Sequence, residues 1–362
     1  MLKIGFDVRM IESSGIGIRI QKILENWNFE QKVELFLFGD PDQIKLFKYP
    51  KSSNIIEYRA PIYSMQELIG HPRMIQMDHL EIPHFNVPIP FLYKSFVTVH
   101  DLIPLHFKEI HGSFIKQFYL RLVFFCIKYL SKGVIAVSNF TKKDLVESLN
   151  FNPNKIEVIP NGFEEELVFD SEEKSFKEKY KLPDDYYLAV GIDKPHKNIS
   201  FVLSCLVELW ERGEIPYPLV IAGRDGSLTK EMLEINEKFP DKILSFPQVS
   251  YKELMKLFRS ARIFIYPSLM EGFGFPGLEA QAVGLPVFAS HAGSLPEVLG
   301  NGAIYFDPKD KSQFQKRLLG LEANHSQWPD LIQRGRENAR GFLWTKSLSL
   351  LKNLYHQKKI LA

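Results

Sequence analysis

The chain has only two cysteines among its 362 residues, and their spacing does not match that of metal ligands. Cys126 and Cys205 lie in apolar surroundings, which predicts buried, reduced thiols. A secreted chain of this length would more often carry a set of disulfides. The low cysteine content therefore favours a cytoplasmic protein.

Long apolar runs and a strong net charge are also absent. No run reaches the roughly 18 apolar residues that a membrane-spanning helix needs. The segment Met1-Leu-Lys-Ile-Gly-Phe6 reads as a strand and not as a signal region. The formal net charge of +2 gives no broad attraction to nucleic acid. We expect a cytoplasmic protein without a nucleic-acid partner, soluble or attached peripherally to a membrane surface.

Short β-rich runs alternate with segments of helical period. The expected strands are Leu2–Phe6, Val33–Phe38, Ile55–Tyr58, Phe96–His100, Val134–Val137, Glu157–Ile159, Tyr187–Gly191, Leu219–Ala222, Ile243–Phe246, Ile263–Tyr266, Val287–Ser290 and Ala303–Phe306. Runs that are apolar on both faces and separated by helices are typical of parallel sheets covered by helices. This number of strands fits two doubly wound α/β domains better than one closed barrel of about eight strands.

A strand, a glycine-rich loop and a helix follow one another after residue 262. Arg262-Ile-Phe-Ile-Tyr-Pro-Ser268 ends a buried strand, and Leu269-Met-Glu-Gly-Phe-Gly-Phe275 forms the loop at its carboxyl end. Pro276 suits the first position of the helix, which stops at Gly284. Ligands of open α/β sheets bind at such strand ends, and a helix N-terminus favours phosphate. The segment therefore predicts a ligand site.

Two carboxylates frame this loop. Glu271 precedes the helix, and Glu279 is expected in its first turn. Both could accept hydrogen bonds from ribose or sugar hydroxyls. Alternatively, Glu279 merely complements the helix dipole and Glu271 is a solvated loop residue. The glycines at 272, 274 and 277, which let a ligand approach the backbone, favour the ligand site.

Two glutamates separated by seven residues make this segment resemble the retaining GT-B glycosyltransferases of the GT4 family, the glycosyl transferases group 1. Similar blocks occur in the family's order along nearly the whole chain. They are Val99-His-Asp-Leu-Ile-Pro104, Ala136-Val-Ser-Asn-Phe-Thr-Lys142, Val158-Ile-Pro-Asn-Gly162, Gly191-Ile-Asp-Lys-Pro-His-Lys-Asn198 and the segment 266–297. The resemblance implies the GT-B fold, in which two Rossmann-like domains face a cleft.

The domain boundary is expected in the charged stretch between Phe163 and Asp185. The resemblance implies an N-terminal acceptor-binding domain over residues 1–165, to which a C-terminal helix over 345–362 returns. The donor-binding domain then covers residues 184–344.

The family carries a basic pair after the first strand of its second domain, which neutralises the donor diphosphate. The matching residues are His196 and Lys197. The family more often has arginine at the first position, so His196 is expected to contribute less or to depend on pH. Arg224 is a candidate second cation, with a surface salt bridge as the alternative. A cation matters because the leaving nucleoside diphosphate gains charge as the glycosidic bond breaks.

The resemblance also implies binding roles for the residues of the glycine-rich loop. Glu279 would bind the ribose, and Glu271 the transferred sugar near its 3-hydroxyl. Other sugar hydroxyls would be held by the backbone of Phe273, Gly274 and Phe275. Because Pro276 has no N–H, a phosphate contact from this loop would come from Gly277 or Leu278.

Three glycine and histidine positions of the first domain match the family as well. His100 closes a strand and matches a histidine that approaches the sugar and the reaction centre. Gly15 and Gly17 look like the family's flexible loop near the acceptor. A dinucleotide-binding fold would need a third glycine where Ile20 stands, which disfavours a dehydrogenase. His84-Phe-Asn86 is expected to end another strand, either facing the cleft or as a buried polar turn.

The resemblance implies a front-face substitution in which the departing phosphate helps to take the acceptor's proton. No carboxylate nucleophile is therefore assigned, and the catalytic roles fall to Glu271, His100 and Lys197. We expect no metal and no other cofactor. Asp40-Pro-Asp42 has the form of a metal motif of another glycosyltransferase fold, but after Phe38-Gly39 it reads as a turn.

A basic, largely apolar helix is predicted over residues 115–132. At about 100° per residue, the polar side chains Gln117, Arg121, Lys128 and Lys132 share one stripe. Such a helix can lie on an anionic membrane or pack against a parallel sheet. The sequence favours packing and leaves peripheral membrane contact as the alternative.

The first half of the chain most resembles bacterial mannosyl- and rhamnosyltransferases of surface-polysaccharide assembly. We expect retaining transfer of a sugar to a hydroxyl of a saccharide or lipid-linked acceptor. The favoured donor is GDP-mannose, followed by a UDP-sugar. The alternatives are a nucleotide-sugar epimerase on the same scaffold, which would need no acceptor, and a silent subunit that binds the donor without transfer.

Overall fold

The computed structural model describes residues 1–27, 33–107, 114–163, 173–191, 194–224, 227–247 and 250–360. Its internal contacts divide the chain into two compact units. The first unit contains Met1–Gly162 and Trp344–Ala362, and the second contains Phe163–Leu343. Each unit is built on a parallel sheet of its own.

The first unit contains a seven-stranded sheet. Its strands are β1 (Leu2–Asp7), β2 (Val33–Gly39), β3 (Asn54–Glu57), β4 (His79–Ile82), β5 (Ser95–Val99), β6 (Gly133–Ala136) and β7 (Ile156–Val158). The strands are parallel and run in the order β3-β2-β1-β4-β5-β6-β7. The winding direction reverses between β1 and β4, which is the doubly wound arrangement.

Helices pack on both faces of this sheet. They are α1 (Ser14–Glu25), α2 (Pro41–Ile44), α3 (Met65–Ile69), α4 (Ile103–His106), α5 (Phe114–Leu130), α6 (Asn139–Leu149) and the C-terminal helix Trp344–Gln357. One buried apolar cluster joins the sheet to α1 and the C-terminal helix, and another joins it to α5 and α6. The strands are covered on both faces, so they appear in the sequence as continuous apolar runs. They could therefore be predicted although polar and apolar residues do not alternate along them.

Strand β4 differs in composition from its neighbours. The sequence indicated a strand ending near His84 without locating it among the apolar runs. The strand is His79-Leu-Glu-Ile82, in which His79 and Glu81 are buried together with the apolar residues. Buried polar side chains inside a central strand hide it from a search for apolar runs.

The second unit contains a six-stranded sheet. Its strands are β8 (Tyr187–Val190), β9 (Leu219–Arg224), β10 (Ile243–Pro247), β11 (Ile263–Tyr266), β12 (Val287–Ser290) and β13 (Ala303–Phe306). The order is β10-β9-β8-β11-β12-β13, again parallel. Each of the twelve strands expected from the sequence is present in one of the two sheets, with ends that differ by at most two residues.

The helices of the second unit complete the α/β layers. They are α7 (Glu173–Tyr180), α8 (Ile199–Glu211), α9 (Lys230–Lys238), α10 (Tyr251–Ser260), α11 (Phe275–Val283), α12 (Leu295–Leu299), α13 (Lys311–Ala323) and α14 (Trp328–Arg340), and the C-terminal helix of the first unit is α15. Short 3-10 helices are Pro72–Gln76, Ile89–Lys94, Pro153–Lys155, Pro195–Lys197, Gly300–Gly302 and His325–Gln327. None of the described helices is long and apolar enough to cross a membrane.

The second unit begins upstream of residue 184, the start expected from the sequence. Helix α7 packs on α10, where the Tyr180 hydroxyl donates a 2.5 Å hydrogen bond to Glu253. Phe176 and Tyr180 also contact Phe246 of the same unit. The charged residues 164–172, in which the boundary was expected, lie outside the described part of the chain.

The C-terminal helix α15 is tied to the first sheet by a buried hydrogen bond. The hydroxyl of Tyr355 donates to Glu81 Oε2 of β4 at 2.6 Å, and both side chains are fully buried. Leu351 and Leu354 of the same helix join the apolar cluster beneath it. The last segment of the chain thereby completes the core of the first unit.

We expect Tyr355→Phe to lower the melting temperature of the protein. The change removes a donor from a buried carboxylate, which costs about 1–3 kcal/mol or a few degrees in a unit of this size. Asn353→Ala, at an exposed position of the same helix, is the control and should have little effect. Differential scanning calorimetry of both variants tests this, and equal melting temperatures would contradict it.

Candidate functional site

The sheet of the second unit brings two polar loops together at its carboxyl edge. Strands β8 and β11 are neighbours, with Tyr187 opposite Ile263 and Leu188 opposite Phe264, although β9 and β10 separate them in sequence. The winding direction reverses between these two strands. Open α/β sheets bind ligands outside the carboxyl ends of the strands at such a reversal.

A lysine and a glutamate meet at this point. Lys197 follows β8 in the 3-10 helix Pro195–Lys197, and Glu271 follows β11. The Lys197 Nζ donates to Glu271 Oε1 at 2.6 Å, and the Ser268 hydroxyl donates to the same oxygen at 2.7 Å. The lysine side chain is 17% exposed and the glutamate 12%. A partly buried ion pair of this kind is strong but can still be reached by a ligand.

Burial alone would raise the pKa of Glu271. The adjacent Lys197 charge and the hydrogen bonds from Lys197 and Ser268 outweigh burial and hold the pKa of this carboxyl below its ordinary value. Glu271 is therefore ionised at neutral pH. Gly191 leaves the space that the lysine needs, because a Cβ at this residue would lie 3.1 Å from Lys197 Cε.

His196, the first residue of the predicted basic pair, carries no charge at neutral pH. Its side chain is buried, and burial lowers the pKa of His196 to about 4, with Lys197 and Lys194 adding to the effect against the pull of Glu271. The imidazole is therefore neutral at neutral pH. Its backbone carbonyl accepts a hydrogen bond from the Leu269 N–H at 2.7 Å and so joins the two loops.

The glycine-rich loop enters helix α11 one residue earlier than expected. Gly274 is the N-cap residue with φ +98°, Phe275 is the first helical residue and Pro276 the second. Glu279 was predicted in the first turn of the helix. Because the helix begins earlier, Glu279 lies beyond that turn. A Cβ at Gly277 would lie 2.8 Å from Leu299 Cδ2, so tight packing favours glycine here.

The predicted phosphate donors of this helix are already engaged. The N–H groups of Gly277 and Leu278 both donate to the Gly274 carbonyl, at 3.2 and 3.4 Å. Both bonds are longer than the common N–H···O distance of about 2.9–3.0 Å. A phosphate contact through either group would have to replace or share one of these bonds, and it remains a prediction.

The loop before α12 is hydrogen-bonded to the loop that carries Glu271. Ser294 donates from its backbone N–H to Glu271 O at 3.2 Å and from its hydroxyl to Phe273 O at 2.9 Å. At Gly293, with φ +60°, a Cβ would lie 2.7 Å from the Glu271 nitrogen. Neither residue was expected from the sequence to have a role, although both lie in the segment that resembles the family.

Glu279 lies in a buried environment. Its side chain is 4% exposed, and burial raises the pKa of Glu279 to about 7 although a hydrogen bond from Tyr251 of α10 opposes the shift. A carboxylate kept partly protonated by burial is better solvated when hydroxyl groups donate to it. This environment suits a ligand with vicinal hydroxyls, and Tyr251 had not been recognised from the sequence.

In the first unit, His100 follows β5 and is neutral. Its Nε2 lies 3.0 Å from the Pro83 carbonyl, which can only accept, so Nε2 carries the proton and Nδ1 is left as an acceptor. Burial, reinforced by the Arg19 charge, lowers the pKa of His100 to about 3. His100 can therefore orient a hydroxyl but does not serve as a general acid at neutral pH. Asp101 accepts from the Ile103 N–H at 2.9 Å and orders the turn.

Gly15 and Gly17 lie in the first turns of α1 and not in a flexible loop. A Cβ at Gly17 would lie 2.4 Å from the Ile11 carbonyl oxygen, so close packing requires this glycine. His84 and Asn86 are buried, and Asn86 donates to Glu67 Oε2 at 3.2 Å. The buried polar turn is thus the correct alternative for that segment.

The remaining predictions concern Arg224 and a metal. Arg224 ends β9, but its side chain lies outside the described part of the structure. Asp40 caps the short helix α2 by accepting from the Asp42 N–H, and both aspartates pair with Arg59. Among the described residues, no group of three or more His, Cys, Asp or Glu side chains is placed to hold a metal ion. Metal independence stays a prediction.

Two protein-family profiles match consecutive parts of the chain. Glycosyltransferase Family 4 matches residues 32–167, and Glycosyl transferases group 1 matches residues 170–341. The second match contains the Lys197 and Glu271 loops. The chain belongs to the GT4-type glycosyltransferases.

Characterised relatives transfer mannose. The O-antigen chain mannosyltransferase RfbU of Salmonella typhimurium is 33% identical over 249 residues, which is 68% of this chain and 65% of that protein. The serotype-specific mannosyltransferase WbdA of Escherichia coli is 27% identical over 285 residues, 75% of this chain and 34% of WbdA. The matched region thus spans less than two thirds of either relative.

Solved structures share the GT-B fold of this GT4 chain. Sucrose-phosphate synthase from Thermosynechococcus elongatus has a TM-score of 0.76 at 17% identity and covers 99% of both chains. HepE of Anabaena in complex with UDP-glucose has a TM-score of 0.76 at 14% identity, over 99% of this chain and all of the other. The predicted fold of two Rossmann-like domains is confirmed.

The raised pKa of Glu279 predicts a pH-dependent stability. Between pH 4.5 and about 7 the folded protein holds a proton at Glu279 that the unfolded chain has released. The free energy of unfolding therefore falls as the pH rises through this window. We expect Glu279→Gln to raise the melting temperature at pH 8 and to change it little at pH 5.

Glu253→Gln is the matched control for this experiment. Hydrogen bonds from Tyr180 and Ser250 lower the pKa of Glu253 to about 2, so its charge stabilises the fold at both pH values. Its replacement should lower the melting temperature at pH 5 and at pH 8. Thermal unfolding of the two variants at both pH values distinguishes the pH-dependent effect expected at Glu279 from the pH-independent effect expected at Glu253. A shift for Glu279→Gln that does not depend on pH would contradict the assignment.

Proposed function

We propose that the chain is a retaining hexosyltransferase. It moves a sugar from a nucleotide-diphosphate donor to a hydroxyl of a saccharide or lipid-linked saccharide, in the assembly of a surface polysaccharide. The observation that carries this proposal is the pairing of Lys197 with Glu271 at the winding reversal of the second sheet. One loop thus offers a cation and the other a carboxylate, which match the two halves of a sugar nucleotide.

The donor would lie along the carboxyl edge of the second sheet. Lys197 binds the diphosphate, Glu271 accepts from hydroxyls of the transferred sugar near its 3-hydroxyl, and Glu279 accepts from the ribose. A diphosphate that binds Lys197 competes with Glu271 for the same ammonium group. Donor binding therefore exchanges an internal ion pair for two contacts with the ligand, which favours the complete sugar nucleotide over isolated phosphate.

The reaction breaks the bond between the anomeric carbon and the diphosphate oxygen. The acceptor oxygen bonds to the anomeric carbon on the same face, and the acceptor proton passes to the departing phosphate. Lys197 stabilises the charge that grows on this oxygen. Glu271, ionised and held by Ser268, orients the sugar without forming a covalent bond to it. No metal or other cofactor takes part in this scheme.

GDP-mannose is the favoured donor, because RfbU and WbdA are mannosyltransferases. A UDP-sugar is the second candidate, since HepE of the same fold was solved with UDP-glucose. A thermal-shift series with GDP-, UDP- and dTDP-sugars distinguishes them, because a ligand that binds only the folded state raises the melting temperature. An epimerase would instead convert the donor without any acceptor.

Lys197→Ala should reduce kcat/KM for sugar transfer by about 100-fold or more, as loss of a donor to a developing anion does elsewhere. Lys194→Ala is the control, because Lys194 is an exposed lysine three residues away. Transfer from GDP-mannose and UDP-glucose to a panel of saccharide and lipid-linked acceptors gives the rates. Near-normal turnover by Lys197→Ala would refute the assignment of the diphosphate site. An inactive wild-type protein that still binds the donor would favour a silent subunit.

A lipid-linked acceptor is supported by helix α5. Its inner face packs in the core of the first unit through Leu120, Val123, Phe124 and Ile127. Its outer face carries Phe114, Phe118, Phe125 and Tyr129, each between 60% and 86% exposed. The packing favoured from the sequence is therefore present, but it uses only one side of the helix.

The charges around this aromatic face match an anionic surface. Arg121 and Lys128 lie beside the aromatic side chains, at helical positions about 20° and 40° from the nearest of them. Lys132 follows two residues after the end of the helix. Residues 114–132 contain no Asp or Glu. Aromatic side chains beside a basic stripe are typical of helices that lie in a membrane interface. We propose that α5 holds the protein peripherally on the inner face of the membrane, where a lipid-linked acceptor would be presented.

The variant with both Phe118→Ser and Phe125→Ser should bind vesicles containing anionic lipid at least about 10-fold less tightly than the wild type, since each phenylalanine contributes about 1.5–3 kcal/mol when buried. Leu233→Ser is the control, because Leu233 is 51% exposed on α9 of the second unit. Vesicle sedimentation at low and high salt measures the affinities. Equal binding of the double variant and the wild type, or no binding of the wild type, would contradict the proposal.

A further inference from the structure

Tyr266, the last residue of β11, has a role that neither the motif nor the proposed mechanism accounts for. The residue is 1% exposed, and its hydroxyl makes no well-aligned hydrogen bond within the described parts of the chain. A buried hydroxyl without a partner destabilises the folded state, and most such groups in native proteins are paired. Its presence here therefore needs an explanation.

The tyrosine ring lies directly beneath the glycine-rich loop. A Cβ at Gly277 would lie 3.1 Å from Tyr266 Cδ1, and a Cβ at Gly274 would lie 3.7 Å from the hydroxyl oxygen. The Lys197 Nζ is 5.7 Å from the ring centroid. Two glycines of the motif thus make room for this ring, and the hydroxyl is placed under the loop that carries Glu271.

The hydroxyl is close to the Glu271 carboxylate. Burial, then the nearby charge of Glu271 and a weak hydrogen-bond interaction with its carboxylate raise the pKa of Tyr266, so it remains a protonated donor. In the structure, both strong hydrogen bonds to Glu271 come from Lys197 and Ser268 and end on Oε1. When a diphosphate takes over Lys197, Glu271 loses the cation that holds it.

We propose that Tyr266 is a positioning residue whose hydroxyl makes a well-aligned hydrogen bond to Glu271 once the donor diphosphate has engaged Lys197. The carboxylate then keeps two neutral donors, Ser268 and Tyr266, and stays directed at the sugar hydroxyls. Tyr266 acts through Glu271 and does not itself contact the reacting atoms. This inference rests on the proposed function, because it requires a diphosphate that competes for Lys197.

Tyr266→Phe tests the proposal without a change in shape. In the absence of a nucleotide, the variant should melt at the same temperature as the wild type or up to a few degrees higher, because a buried hydroxyl without a well-aligned hydrogen bond is removed. With saturating GDP-mannose, or UDP-glucose if that is the donor, the ligand-induced rise in melting temperature should be smaller in the variant. The hydrogen bond that is lost becomes well aligned only in the complex.

Kinetics separate positioning from a merely structural role. We expect kcat to fall by about 10-fold or more, as for loss of a hydrogen bond to a charged group. The Kd for guanosine or uridine, which lack the diphosphate, should stay within about two-fold. Tyr186→Phe is the matched control: Tyr186 is equally buried in the second unit, but its hydroxyl donates to Leu257 O at 3.0 Å. That variant should melt lower and keep its kcat.

The outcomes of this experiment are distinct. A Tyr266→Phe protein that transfers sugar at the wild-type rate overturns the inference and leaves the proposed function intact. A variant that melts several degrees lower without a ligand also overturns it, since the hydroxyl would then already make a strong hydrogen bond in the free protein. A wild-type protein that transfers no sugar overturns the proposed function itself.

Discussion

The 2.6 Å contact between Lys197 and Glu271 depends on the point at which the second sheet reverses its winding. Strands β8 and β11 are adjacent only because β9 and β10 are added on the far side of β8. Both loops leave the sheet at the same edge because the strands are parallel. Residues 74 positions apart in sequence thereby form one pair. The positions of Ser268, His196 and the glycine-rich loop all follow from this arrangement.

The site retains polar groups in places where an apolar core would be more stable. Glu279 is 4% exposed and its pKa is raised to about 7 by burial, while the Tyr266 hydroxyl is buried without a well-aligned partner. Burial of these polar groups lowers the free energy of unfolding, and the packing of the surrounding β-sheet and helices offsets this loss. Gly274 and Gly293 add backbone conformations with positive φ that few other residues adopt. Such local conflicts are expected where a fold is shaped for a ligand.

The sequence predicted most of the fold because parallel strands buried on both faces appear as short apolar runs. It failed to place β4, in which His79 and Glu81 interrupt the apolar pattern while remaining buried. It located Lys197 and Glu271 through motifs, but it missed Ser268, Tyr251 and Tyr266. Serine and tyrosine occur throughout any chain, and only their three-dimensional neighbours distinguish these residues from others of the same type.

By itself, the sequence determined the family, the doubly wound α/β class and the two glutamates of the loop. These features follow from the spacing of motif residues and from the periodicity of apolar residues, both of which are local. Tertiary structure decided the electrostatic roles. It made His196 neutral by burial, raised the pKa of Glu279 and paired Lys197 with Glu271. It also showed that α5 packs with one face and leaves an aromatic face exposed. Burial and long-range pairing depend on which chain segments meet in the fold, and no local pattern of residues contains that information.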